Sequence, residues 1–235
     1  MEKEKMKQII RKISILLCIT LAIESVCLVR DVSALSRAKY TKQTIDKSTM
    51  FGKVKVEEYY KLIQLKGGTP AIQKINKALR KDCNKFIKSS YVEYIKDYSK
   101  EINYDDECHW TASSYVKYNK KGIISIKVES SGWLGRVRVT DEYGLNYSLK
   151  TGKRIYLHQA CRKSKKATKK SLIKVIKKQK DFGTQKKYAL KRVKKMKVKK
   201  IDFYIKKNGK VMAIFDQYEI GNFAYTQEFK VGRRK

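Results

Sequence analysis

Proline occurs once in 235 residues, as Pro70. A proline-rich linker or stalk is therefore excluded, and no Gly-X-Y period exists, which excludes a collagen-like fibre. Histidine occurs only twice, as His109 and His158. No Cys-x-x-Cys pair is present, so zinc-ribbon spacing is absent. There is no GxxxxGK phosphate loop and no GxSxG nucleophile elbow. Acidic residues are scarce as well: 22 Asp and Glu face 57 Lys and Arg, for a formal net charge of +35. Only eleven of those cations are Arg. Lysine is a flexible point charge without the planar fork of arginine, so this surface suits diffuse attraction to polyanions rather than base-by-base readout. Sequence-specific nucleic acid is not an expected partner. A high charge also keeps a secreted protein soluble without any ligand.

What is present argues for a folded body. Hydrophobic residues make up 42% of the chain and there are 16 Tyr. Disordered segments lack such aromatics, so disorder is excluded for most of the chain despite 34% charge. The length fits one domain or two small interlocked ones.

The N-terminus reads as an export signal. Lys3, Lys5, Lys7, Arg11 and Lys12 precede an apolar run from Ile13 to Ile23, and Val32-Ser33-Ala34 has the small residues of a cleavage site. An uncleaved anchor over residues 13–29 is the alternative, at the lower edge of bilayer-spanning length. Either way the expected location is extracytoplasmic, secreted or anchored to the membrane. Residues 1–34 hold nearly as many acidic as basic residues, so the charge belongs to the remainder. Beyond residue 34 three cysteines are left, Cys83, Cys108 and Cys161. An oxidising compartment allows one disulfide, with Cys83–Cys108 the expected pair. The alternative is three small buried hydrophobes.

Residues 35–52 are polar and aperiodic and read as a tether. A β-like pattern follows from Lys53 and ends at Gly67-Gly68. Thr69-Pro70 has the form of a helix N-terminus. Ile72, Ile75, Leu79, Cys83 and Phe86 recur at helical spacing and predict a helix from Pro70 to Ile87, extending towards Tyr98. Strands are predicted over 109–118, 123–130 and 136–143, then a hairpin of 146–149 with 154–157. A second, lysine-dense helix is predicted over 165–180, and a short third near 185–191. Lys207-Asn208-Gly209 marks a hairpin between strands 198–206 and 210–215, with a last β-like run over 224–231. Consecutive strands without intervening helices predict an α+β fold: antiparallel sheets packed with one long N-terminal helix and a second basic helix.

The stretch from Ile201 to Val231, with its core Phe215-Asp216-Gln217-Tyr218-Glu219-Ile220, resembles the C-terminal domain of RsiV-type bacterial ectodomains. Upstream, SSYVKYNKKGIISIKVESSG and NYSLKTGKRIYL resemble the domain that precedes it there, which also occurs ahead of the catalytic region in PdaC-type peptidoglycan deacetylases. The resemblance implies a PdaC-type domain over 53–135 and an RsiV-type domain over 136–231, packed as one extracytoplasmic α+β body. RsiV-type ectodomains bind lysozyme, yet a basic lysozyme would be repelled by this chain, which disfavours that partner. PdaC-type chemistry belongs to a separate metal-dependent domain, and no Asp-Asp with paired-His motif occurs here. The family's Gly-Gly-Ala-His-Gly-like turn corresponds to Ser131-Gly132-Trp133-Leu134-Gly135, without the His.

The densest reactive cluster is Asp105-Asp106-Glu107-Cys108-His109. It reads as an exposed acidic turn, since neighbouring strand residues point to opposite faces. Asp216 and Glu219 read as caps of backbone amides, with Tyr218 a buried anchor beside them. No catalytic residue, metal or cofactor is expected. Trp133 on a turn is a possible contact for a glycan or partner. Lys165, Lys166, Lys169, Lys170, Lys174, Lys177 and Lys178 form the candidate polyanion-binding face, continued by the cations up to Lys200. The expected function is thus a non-enzymatic surface or secreted binding domain contacting anionic cell-wall polymer or lipid head groups. The alternatives are an accessory domain of a peptidoglycan enzyme and a lysozyme-binding domain.

Overall fold

A computed structural model describes residues 36–88, 90–101, 106–134 and 137–234. The expected signal or anchor lies outside the described residues. From Arg37 onward the chain forms one compact unit. Strands β1 (Tyr40–Phe51) and β2 (Val54–Leu65) are followed by helices α1 (Pro70–Ile87) and α2 (Ser90–Tyr98). Strands β3 (Asp106–Lys120), β4 (Ile123–Leu134) and β5 (Val137–Ser148) come next. Helices α3 (Leu157–Ala160), α4 (Lys165–Lys177) and α5 (Lys186–Lys195) lead to strands β6 (Asp202–Ile205), β7 (Lys210–Phe215) and β8 (Gln227–Arg233). The first five strands make one sheet in the order β1-β2-β3-β4-β5, and the last three make a second in the order β6-β7-β8. The class is α+β, as the order of elements predicts.

The differences from the sequence reading have physical causes. Residues 40–51, within the expected tether, form an edge strand whose side chains are nearly all exposed. An edge strand held by backbone bonds to β2 needs no apolar alternation, so its sequence looks like a linker. The first sheet is not wholly antiparallel: β2 and β3 run parallel. The helices between them carry the chain back across the sheet, and a helical crossover returns a strand in the same direction. Helix α1 is also not N-terminal in the fold, since two strands precede it. The division drawn at 135/136 falls between β4 and β5, which are hydrogen-bonded neighbours. The predicted hairpin of 146–149 with 154–157 shrinks to a single bridge, Tyr147 to Arg154, and Leu157 already begins α3.

Helix α1 forms for local reasons. Thr69 Oγ1 accepts a hydrogen bond from the Ile72 amide at 3.3 Å, and Pro70 occupies the first turn. Its stripe Ile72, Ile75, Leu79, Cys83 and Phe86 is buried against one face of the first sheet. Phe86 stacks on Trp110 at 4.7 Å and meets Tyr60 edge-on at 5.3 Å. Burying each such side chain is worth about 1.5–3 kcal/mol before entropy is counted. No disulfide links Cys83 to Cys108; all three cysteines are buried thiols. Burial pushes the thiols of Cys83 and Cys161 up to about 11, so both stay protonated and inert.

The second sheet packs α4 and α5 on one face, through Leu172, Ile176, Ala189 and Val193 against Phe203, Phe215 and Phe229. Its strand β6 crosses the lower end of the first sheet. Asn146 Nδ2 donates to the Phe203 carbonyl at 2.7 Å, and the Ile205 amide donates to Ser125 Oγ at 2.8 Å. Gly144 is required at this crossing, because a Cβ there would lie 1.6 Å from the Phe203 oxygen.

Candidate functional site

Two surfaces stand out, one cationic and one polar. The cationic surface is the outer side of α4 and α5. Ser164 caps α4 by accepting from the Ala167 amide at 3.1 Å. Thr168, Leu172 and Ile176 then recur every fourth residue and are buried, which turns Lys166, Lys170, Lys174, Lys177 and Lys178 outward. Lys165 in the first turn is exposed too. Lys169 is not part of that face. Its ammonium is turned inward and donates to the carbonyls of Val193 at 2.7 Å, Lys194 at 3.1 Å and Met196, closing the C-terminus of α5. Burial lowers its pKa.

From 162 to 200 the chain has nineteen basic residues and one acidic residue, Asp181. Among the described residues, none of these cations forms an ion pair with a carboxylate; the ion pairs lie elsewhere. Lys165 and Lys166 in α4, and Lys186 and Lys187 in α5, occupy first turns, which carry no acidic residue. The positive end of the helix dipole disfavours cations there by up to about 1 kcal/mol each. The helices thus hold charge where folding alone would not place it.

The polar surface is the face of the first sheet turned away from α1. Strand alternation lines up Glu57, His109, Trp133 and Arg138 in one row, then Tyr59, Thr111, Ser131 and Thr140. Below them lie Ser113, Glu129 and Glu142, and then Tyr115 and Lys127. The segment before β8, with Tyr225 and Thr226, rises beside this face and encloses a cleft of about 430 Å³. Two of its lining carboxylates are bonded to the Lys127 ammonium, 9% exposed, which lies 2.8 Å from Glu142, 3.1 Å from Glu129 and 3.0 Å from Glu228. Burial disfavours this charge, but hydrogen bonds to the three carboxylates outweigh it and hold the pKa well above the usual lysine value. Tyr204 Oη donates to Glu228 at 2.8 Å and its ring lies under Lys127.

Trp133 lies within β4 rather than on a turn, and its side chain is 49% exposed. Glu107 and His109 belong to a strand, while Asp105 of the expected acidic turn lies outside the described residues. Lys55 is ion-paired with Glu57 at 2.5 Å and with Glu107 at 3.8 Å, and His109 Nδ1 lies 3.4 Å from Glu57. No group of three or more His, Cys, Asp or Glu among the described residues is arranged to hold a metal. Glu219 Oε2 accepts from the Asp216 amide at 3.0 Å, and Asp216 Oδ1 accepts from the Glu142 amide at 3.2 Å, so both serve as caps. Tyr218 is no buried anchor: it is 57% exposed at φ +61°, and Ile220 fills the core instead. Burial, then a hydrogen bond to Asp141 and repulsion from it, pushes the Asp216 carboxyl up to about 8.

The chain is similar to two solved structures. One is a member of the DUF3298 family from Bacteroides fragilis, with a TM-score of 0.58 and 13% identity over 84% of this chain and 91% of that one. Another is a DUF3298 family protein from Pseudomonas aeruginosa, with a TM-score of 0.48 and 13% identity over 86% of this chain and 92% of that one. The likeness to the first is one of fold. No family model matches the sequence, and no curated protein matches it. The DUF3298 name denotes a domain of unknown function, so the chemistry has to be read from this chain's own surfaces.

Proposed function

We propose that this chain is a non-enzymatic extracytoplasmic binding domain of the RsiV and PdaC type that holds an anionic cell-envelope polymer on the outer face of α4 and α5. The observation that carries it is the ratio of nineteen cations to one carboxylate between 162 and 200, with no ion pair neutralising them among the described residues. Lysine ammoniums spread along two helices match a flexible polyphosphate by counter-ion release and need no fixed geometry. Lipid head groups offer the same phosphate chemistry. The test is retention on lipoteichoic acid across a salt series, with heparin as a second polyanion. Six phosphate contacts would weaken binding on the order of 10³-fold between 50 and 200 mM salt, by analogy with DNA. Exchanging Lys166, Lys170, Lys174, Lys177 and Lys178 for Gln should abolish retention, while Lys55→Gln and Lys61→Gln should not. Salt-insensitive retention, or none at low salt, would refute the reading.

A further inference from the structure

The cleft on the sheet face has a chemistry unlike that of the helical surface. Its charges cancel locally: Glu129, Glu142 and Glu228 are met by Lys127, with Lys117 at 3.9 Å from Glu129 and Lys206 at 4.0 Å from Glu228. An anion would meet these carboxylates, and a cation would meet a chain of net charge +35 with the Lys127 ammonium already in place among them. An uncharged ligand meets neither obstacle. The hydroxyls of Ser113, Ser131, Thr140 and Thr226 make no hydrogen bond to other described residues, so the walls offer donors and acceptors to a guest. Carboxylate oxygens of Glu129 and Glu142 beyond those bonded to Lys127 can accept from hydroxyl groups.

Aromatic rings flank these polar groups. Tyr115 is 38% exposed, Tyr225 64% and Trp133 49%. Trp133 lies on β4 six residues from Lys127, on the same face, which is about 20 Å along the strand. Exposed rings separated by hydroxyls and carboxylates match pyranose rings, which are apolar on their faces and polar at their edges. We infer that this cleft binds an uncharged, hydroxyl-rich oligosaccharide chain laid along β4 from Trp133 towards Tyr115, with Tyr225 closing over it. The site is separate from the α4–α5 surface and does not depend on it.

The chain has two tryptophans, and Trp110 is only 6% exposed. A ligand-induced change in emission therefore reports Trp133. The full chain is titrated with the hexamer of N-acetylglucosamine and with cellohexaose, by fluorescence and calorimetry. The expected result is binding of at least one hexasaccharide, with a shift in emission that Trp133→Phe removes. Tyr225→Ala, at a position 64% exposed, should weaken binding about tenfold. The affinity should be unchanged between 50 and 500 mM salt, and the Lys-to-Gln exchanges in α4 should leave it intact. No binding of either sugar at millimolar concentration would overturn the inference. So would binding that survives both aromatic substitutions, or binding that salt abolishes.

Discussion

Replacing Lys127 by Met tests the account of how the two sheets are joined. The ammonium is bonded to carboxylates from β4, β5 and β8, at 3.1, 2.8 and 3.0 Å. Methionine fills similar space without the charge. Three carboxylates then face one another across the sheet junction, with side chains 38%, 26% and 25% exposed. Removing one partner of a fully buried ion pair costs about 3–5 kcal/mol. The carboxylates here retain some water, so the lower end applies, about 3 kcal/mol. For a fold of this size each kcal/mol moves the Tm by about 2–4 °C, which gives a fall near 10 °C. The penalty comes from carboxylates facing one another, so a neutral Gln at Glu142 in the double exchange should recover part of it. Urea unfolding of the parent chain and of the single and double variants measures it. A loss under about 1 kcal/mol for Lys127→Met, or no recovery in the double variant, would refute the reasoning.

Three further outcomes follow from buried groups. The Asp216 carboxyl is pushed well above the usual carboxylate range in the fold, first by burial and then by Asp141, whereas an unfolded Asp titrates at about 4. The folded chain holds the extra proton in between, so its contribution is complete below that lower value and is lost as pH rises through the folded one. Asp216→Asn should flatten the decline in unfolding free energy between pH 5 and 9; an unchanged decline removes Asp216 as its source. Gly144→Ala forces a Cβ to within 1.6 Å of the Phe203 oxygen, so β6 must move; thermal unfolding should drop steeply, and a wild-type Tm would show the crossing to be wrongly drawn. In a chain lacking Cys18 and Cys27, the buried thiols should resist an aromatic disulfide reagent at pH 8 until denaturant is added. Rapid native labelling would contradict their burial.

Legibility from sequence followed periodicity. The stripe from Ile72 to Phe86, the Thr69-Pro70 start and the Asn208-Gly209 turn are local signals, and each appears where it was read. Strand β1 left no trace because its side chains stay in water and only its backbone is paired. The outward lysines of α4 were legible from the helical period, except Lys169, whose inward turn depends on the carbonyl end of α5. The cleft was not legible, although Trp133 beside it was singled out. Thr111, Thr140 and Tyr225 are scattered along the chain, and each alone is an ordinary surface residue.

Composition and local spacing by themselves determined the α+β class, the lysine-coated surface and the positions of α1 and α4, because charge and short-range period need no knowledge of partners. The tertiary structure alone decided that β2 and β3 run parallel, that Cys83 and Cys108 remain unbridged, and that three distant glutamates converge on Lys127. Those facts depend on which strands lie side by side, and pairing is fixed by packing between segments that the linear order keeps far apart.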